Sequence, residues 1–273
     1  MISVTKLRHK KIGTYIFLSI VSFISVFPLY WMIAASTNSS LQVTRGKLTI
    51  GSQFFVNLQR LTDQYDVFGA LWNSLAYSFI LTLLSLLICS LAGYGFEVYH
   101  DKVKDNVMKV LLLAMMVPFV AIMIPLYQMF SKWGLLNSLV GFILPTLATP
   151  FLIMLFRQSA RSFPRDIIEA ARIDGLNELQ IFFTMFIPTM RSTFAAALTI
   201  TFMGAWNSYL WPKVIMTKAD TITIPMLVAN LKEGYVTDYG VLMLAVLLCT
   251  LPTAIVFFLL QKNFTAGITG AVK

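Results

Sequence analysis

Charge is what this sequence has least of. Lys and Arg supply 21 of its 273 residues and Asp and Glu only 12. The charged share is 12%, about half the roughly 25% of a soluble globular chain, and too little to give a fold of this size a polar skin. Histidine is scarcer still. His9 and His100 lie in basic or mixed-charge segments and form no ligand-spaced cluster, so a zinc or iron site is not supported. The two cysteines, Cys89 and Cys249, each sit in an apolar run without CxxC spacing. They read as small core residues, not as a disulfide framework. No GxxxxGK loop followed by Ser or Thr occurs anywhere, so the chain cannot cradle nucleotide phosphates itself.

What is abundant is apolar. Hydrophobic residues make up 58% of the chain, with 22 Phe, 14 Met and 5 Trp, which excludes a solvated, disordered coil. The class left is an all-α integral membrane protein, most simply one continuous helical domain over residues 1–273. The net charge of +9 could by itself point to nucleic acid or anionic lipid. Its distribution fits membrane orientation better.

A helix needs about 20 apolar residues to cross roughly 30 Å of hydrocarbon. Six segments meet this: Ile12–Ala35, Leu71–Phe96, Val110–Phe130, Trp133–Phe156, Ser192–Trp211 and Tyr239–Leu260. Spans three and four must then be joined by a very short turn near Lys132–Gly134. The basic start, Lys6 to Lys11, resembles a signal-peptide n-region, but the apolar stretch behind it is too long for a cleaved signal and predicts an uncleaved anchor. With the N-terminus inside, seven basic residues fall outside (Arg45, Lys47, Arg60, Lys132, Lys213, Lys218 and Lys232) and the other fourteen inside. The positive-inside rule therefore predicts cytoplasmic N- and C-termini.

None of the six segments contains Asp, Glu, Lys, Arg or His. Ion-coupled carriers keep such a residue in the bilayer to ligate the coupling ion, which disfavours an ion-coupled secondary carrier as the alternative function. A membrane-embedded enzyme would need clustered His, Asp or Glu near the interface, and the sequence has none. Prolines do punctuate the spans. The pairs Pro118/Pro125 and Pro145/Pro150 read as bends that line a cavity, whereas Pro28 and Pro252 read as ordinary membrane-helix packing.

The largest inside cluster of basic residues lies in the loop 157–191. There Ser162 with Pro164 predicts a helix start, Gly175 a left-handed stop, and Asn177 the cap of a second helix ending near Pro188. Ile167, Ala170, Ala171 and Asp174 follow i, i+3, i+4, i+7 spacing on one face. The two alanines keep that face shallow enough for close approach of another surface. Asp174 falls at the negative end of the helix dipole, a cost of about 0.3–1 kcal/mol. That points either to a partner or to support of the next helix, and both stay open.

These residues resemble a known motif. Glu169-Ala170-Ala171, Asp174-Gly175 and Ile187-Pro188 resemble the EAA loop of bacterial ABC importer permeases, whose form is EAA…G, nine residues, I-x-L-P. Met185 and Ile187 stand where that family favours Ile and Leu, and Ser192 where carbohydrate permeases often carry another proline. The run Trp206 to Pro212, WNSYLWP, resembles the W-N-x-(F/Y)-x-W-P segment of carbohydrate-type, maltose-transporter-like permeases. Thr237 to Gly240, Gln261 to Phe264 and Gly267 to Lys273 are similar to that group's last span and tail.

The resemblance implies the type I ABC importer permease fold and a transport subunit without enzymatic activity or a cofactor of its own. ATP and Mg would be handled by two partner ATPase subunits. Further implied partners are a second permease, a different chain before an identical one, and an extracellular solute-binding protein facing the loop Lys213–Asp238. No nucleic acid is implied. The cargo would be a sugar, an oligosaccharide foremost, crossing a bacterial cytoplasmic membrane. Glu169, Ala170, Ala171, Asp174 and Gly175 would dock the ATPase. Trp206, Asn207 and Tyr209 are candidates for the substrate path, because aromatic faces beside an amide suit a sugar. Trp211 reads as a belt residue at the membrane interface.

Overall fold

A computed structural model describes residues 3–233 and 236–270, with side chains for 12–233 and 236–261. The side chains of the tail after Gln261, and all of residues 271–273, lie outside that range. Among the described residues there is no strand. The helices run α1 (Ser3–Ser36), α2 (Ser40–Thr44), α3 (Phe54–Gln64), α4 (Val67–Val98), α5 (Lys102–Ala114), α6 (Phe119–Lys132), α7 (Leu139–Ile143), α8 (Pro150–Ala160) and α9 (Arg165–Ile173). They continue with α10 (Glu178–Ile181), α11 (Ile187–Thr189), α12 (Arg191–Trp206), α13 (Leu210–Ile215), α14 (Ile224–Asn230) and α15 (Tyr239–Gly270).

Three helical stretches are long and apolar enough to span a bilayer unaided: Ile12–Ser36, Val67–Val98 and Tyr239–Gln261. The other three expected spans are broken. The pair α5 and α6 bends by 96°, the stretch from α7 to α8 by 55°, and the stretch from α10 to α13 by 84° at its break after Thr189. Six crossings result if each bent pair counts as one. The breaks follow from local chemistry. Pro118 takes an extended conformation, φ −61° and ψ 131°, at the head of α6. Thr149, the residue before Pro150, is also extended, φ −86° and ψ 132°, as a pre-proline residue prefers. The expected helix 192–211 stops at Trp206, where Asn207 becomes the C-cap, and resumes only at Leu210.

Side-chain caps fix two of the other boundaries. The Asp101 carboxylate accepts from the Lys104 backbone N–H to start α5, and the Ser138 hydroxyl accepts from that of Gly141 to start α7. The turn after α6 uses positive φ at Gly134, +68°, and at Asn137, +54°.

The residues fall into two compact units. In the first, Met1–Val67 with Leu227–Leu251, a buried amide knot ties α1 to α3. Asn57 Nδ2 donates to the carbonyls of Ser36 and Asn38, both at 2.9 Å, and Asn38 Nδ2 donates to those of Ala34 and Thr49. Arg60 pairs with Asp238 at 3.1 Å at its edge. In the second unit, Phe68–Met226 with Pro252–Lys273, the described residues form three apolar clusters. One gathers Phe130, Phe142, Trp211 and Ile215, one Tyr94, Phe163, Ile168, Phe182 and Phe186, and one Cys89, Met108, Phe156 and Ala197. Cys89 is fully buried there.

Candidate functional site

Two features of the second unit are candidates for function, an elbow and a cavity. The elbow is α9, a sharp turn and α10. Pro164, with φ −63° and ψ 127°, is the residue that caps α9. Ser162, expected in that place, instead donates to the Ser159 carbonyl at 2.7 Å, because α8 continues far enough to claim its hydroxyl. At the other end Gly175 takes φ +84°. Its N–H donates to the Arg172 carbonyl at 3.1 Å and that of Leu176 to the Ala171 carbonyl at 3.0 Å. This is the complete Schellman pair, with a glycine where an L side chain would be strained. Asn177 then caps α10 reciprocally with Gln180: its Oδ1 accepts from the Gln180 N–H at 2.9 Å, and Gln180 Oε1 accepts from the Asn177 N–H at 2.8 Å. A π-helical turn over Phe182–Phe186 carries the chain into α11 at Pro188.

The inner side of the elbow is held by aromatics. Tyr94 and Phe186 have ring centroids 5.0 Å apart, and Phe163 meets Phe186 edge-on at 5.5 Å. Such pairs contribute about 0.5–1.5 kcal/mol each beyond area burial. Ile168 and Ala171 pack into this cluster and are 5% and 2% exposed. Ala171 therefore does not share the outer face expected for it. The i, i+3 partnership with Ile168 turns it inward, where its small size admits the rings. The outer face is made by Ile167, Glu169, Ala170, Asp174 and Gly175, all exposed, with Ile173 86% exposed beside them. Arg172 Nε reaches Glu178 Oε1 at 2.7 Å, bracing α9 against α10, and that hydrogen bond holds the Arg172 guanidinium above its ordinary pKa.

The cavity has a volume of about 630 Å³, within the range of small-molecule sites. Three helix interruptions reach the wall: Met115 and Phe119 at the break between α5 and α6, Thr146 and Thr149 at the break before α8, and Asn207, Ser208 and Tyr209 between α12 and α13. Interrupted helices free backbone polar groups, which membrane proteins tolerate where the break lines a cavity. Thr201 also faces it, and its hydroxyl has no hydrogen-bond partner among the described residues. Asn207 Nδ2 donates to the Met203 carbonyl at 2.8 Å.

Of the three sequence candidates, Asn207 and Tyr209 line this space and Trp206 does not. Trp206, the last residue of α12, is 2% exposed and stacks on Phe202 at 5.9 Å, so it packs inside the protein. Trp211, expected at the membrane interface, is 4% exposed. It lines the cavity and donates from its indole N–H to the Gly141 carbonyl at 2.9 Å. Its ring stands edge-on to Phe119 and Phe130, 5.9 and 5.3 Å away.

One group of residues escaped the sequence reading. Arg157, counted there only for orientation, is buried with a side-chain exposure of 4%. It reaches Glu97 at 3.3 Å and pairs with Asp105 as well. The available signal was an arginine closing one apolar run and a glutamate closing another.

Residues 90–270 match the family described as "Binding-protein-dependent transport system inner membrane component". The chain is 44% identical over 273 residues, all of both chains, to the lactose transport system permease protein LacG of Rhizobium radiobacter. It is 34% identical over 259 residues, 93% of each chain, to the arabinooligosaccharides transport system permease protein AraQ of Halalkalibacterium halodurans. To the sn-glycerol-3-phosphate permease protein UgpE of Pectobacterium atrosepticum it is 29% identical over 261 residues, 91% of this chain and 92% of that one. In fold it is similar to a crystal structure of a bacterial ABC transporter involved in the import of the acidic polysaccharide alginate. That match has a TM-score of 0.82 and 21% identity, over 97% of this chain and 99% of the other. The fold is the all-helical type I importer permease fold of a multi-pass membrane protein. With two thirds of its length matched by the family model and a relative of 44% identity along the whole of it, the chain belongs to the binding-protein-dependent transport system inner membrane component family.

Proposed function

We propose that the chain is one permease subunit of an ATP-driven importer, forming part of the path of a sugar, an oligosaccharide foremost. The carrying observation is that one compact unit holds both a cavity built from three helix breaks and an elbow with an exposed apolar and acidic outer face. The elbow would dock an ATPase subunit through Glu169, Ala170, Asp174 and Gly175, on the cytoplasmic side together with both termini. ATP and Mg belong to a pair of such ATPases, since this sequence carries no phosphate-cradling loop. The second permease is a different chain, and an external binding protein delivers the solute to the side opposite the elbow. Closure of the ATPases moves the elbow as a rigid body and switches the cavity between its two accesses. Asn207 and Tyr209 border the solute and Trp206 fixes the helix end that presents them.

The sugar class follows from the relatives whose names give lactose and arabinooligosaccharides. The six apolar segments hold no Asp, Glu, Lys, Arg or His that could couple transport to an ion. The test is uptake into proteoliposomes holding the chain with its co-expressed permease, ATPase and binding-protein partners, with lactose, arabinotriose and glycerol 3-phosphate as probes. The expected result is ATP-dependent accumulation of a saccharide, unaffected by a protonophore. Accumulation that needs a proton gradient and no ATP would overturn the reading.

A further inference from the structure

Helix α8 has the cavity at one end and the elbow at the other. Its first turn, Phe151 and Leu152 together with Thr149 ahead of it, lines the cavity. Its last residue, Ala160, is four residues from Pro164, the cap of α9. Eleven residues at 1.5 Å each make it a rod about 16 Å long.

Two observations fasten the elbow end of this rod to its neighbours. Glycine at position 93 of α4 lets the backbones touch: a Cβ there would stand 2.6 Å from Phe156 Cβ, 2.7 Å from the Arg157 nitrogen and 2.8 Å from the Ile153 carbonyl oxygen. Beside this contact the buried Arg157 guanidinium forks. Its Nε donates to Glu97 Oε2, on α4, at 3.3 Å, and its Nη2 donates to Asp105 Oδ1, on α5. Phe96 lies 6.0 Å beneath it. Arg161 shares the same Glu97 oxygen at 3.3 Å, and His100 reaches the other Asp105 oxygen at 3.1 Å. A fork whose two tines end on different helices fixes direction as well as distance.

We propose that Arg157 is a positioning residue that locks α4 and α5 to the root of the elbow, so that α8 acts as a rigid lever and elbow movement arrives at the cavity without slack. The proposal rests on the docking role given to the elbow above. The carboxylates act independently: Glu97 holds α4 and Asp105 holds α5.

The experiment measures spin-label distances in the full chain in lipid nanodiscs, where no ATPase is needed. One label pair joins α5 to the elbow (Val103→Cys with Ile173→Cys, 70% and 86% exposed) and a second joins α4 to the elbow (Leu87→Cys with Ile173→Cys, Leu87 being 39% exposed). Asp105→Ala removes the tine that ends on α5 while Arg157 keeps Glu97, so it is expected to widen the α5 distribution at least about twofold and leave the α4 distribution unchanged. Glu97→Ala does the reverse, Arg157→Met widens both, and Arg157→Lys, which keeps the charge but not the fork, falls between. A general loss of structure would widen both pairs in every variant. That result, or unchanged widths in Arg157→Met, overturns the proposal. Should Arg157→Met fail to insert, the two carboxylate variants still decide it. In proteoliposomes with the ATPase, Arg157→Met is expected to spend at least about fivefold more ATP per lactose taken up, the result of a lever that slips. Absence of ATP-driven uptake in the unsubstituted importer would refute the docking role instead and leave the distance result standing.

Discussion

Substitution of Gly175 isolates the turn of the elbow from everything around it. The glycine sits at φ +84° and nothing lies within 4 Å of the place a Cβ would occupy, so a side chain there meets backbone strain and no clash. A left-handed L-residue costs roughly 1–2 kcal/mol, which is a factor of about 5–30 in the population of the turned elbow. Asparagine visits this region more readily than alanine. Proline cannot visit it, since its ring holds φ near −65°, and it also removes the N–H that donates to the Arg172 carbonyl at 3.1 Å. The expected order is therefore Gly175, then Gly175→Asn, then Gly175→Ala, with Gly175→Pro far behind. The assay is recovery of ATPase subunits with an affinity-tagged permease, normalised to permease inserted in membranes. Insertion should stay level, because the turn lies outside the apolar spans, while ATPase recovery falls in that order and is lost for Gly175→Pro. Full ATPase recovery with Gly175→Pro would refute the reasoning.

Gly93 and Gly95 make a matched pair. Gly93→Ala forces apart two touching backbones, an overpacking cost of about 1–3 kcal/mol, and should lower the thermal midpoint in detergent, whereas Gly95→Ala has open space around it and should leave the midpoint within error. Trp211→Phe keeps the aromatic contacts but strands the buried Gly141 carbonyl, so it should cost about 1–3 kcal/mol of stability, measured by the same melt. Asn207→Ala should raise the KM for solute uptake with little change in the melt, while Trp206→Phe should shift the melt and leave KM alone, because only the first of these side chains lines the cavity.

What the sequence disclosed, and what it hid, divides by distance along the chain. Gly175 and Asn177 were legible because a left-handed stop and a capping box are decided within three or four residues. The apolar runs were legible because hydropathy sums over 20 neighbours. The side chosen by Ala171 was not, since the stripes 167/170/174 and 168/171 differ by one residue, and the choice depends on Phe182 and Phe186 beyond the turn. Nor do the prolines announce which of them breaks a span. Pro118 stands at the head of α6, while Pro125 lies inside the same helix without ending it. The tryptophan pattern does not tell which ring lines the cavity: the helix ends at Trp206, and Trp211, not Trp206, is in the wall. The Arg157 fork joins residues 60 and 52 positions apart, beyond the reach of any local signal.

The central claim is that the outer face of the elbow meets a nucleotide-hydrolysing subunit. Its most direct measurement is a short bifunctional thiol cross-link from Ile173→Cys in a chain with Cys89→Ser and Cys249→Ser, assembled with its ATPase and followed by the mass of the adduct. The account predicts a permease–ATPase adduct from Ile173→Cys and none from Ala171→Cys, whose position is 2% exposed. If Ile173→Cys forms no adduct with the ATPase, or is labelled in intact cells by a maleimide that cannot cross the membrane, the claim is contradicted.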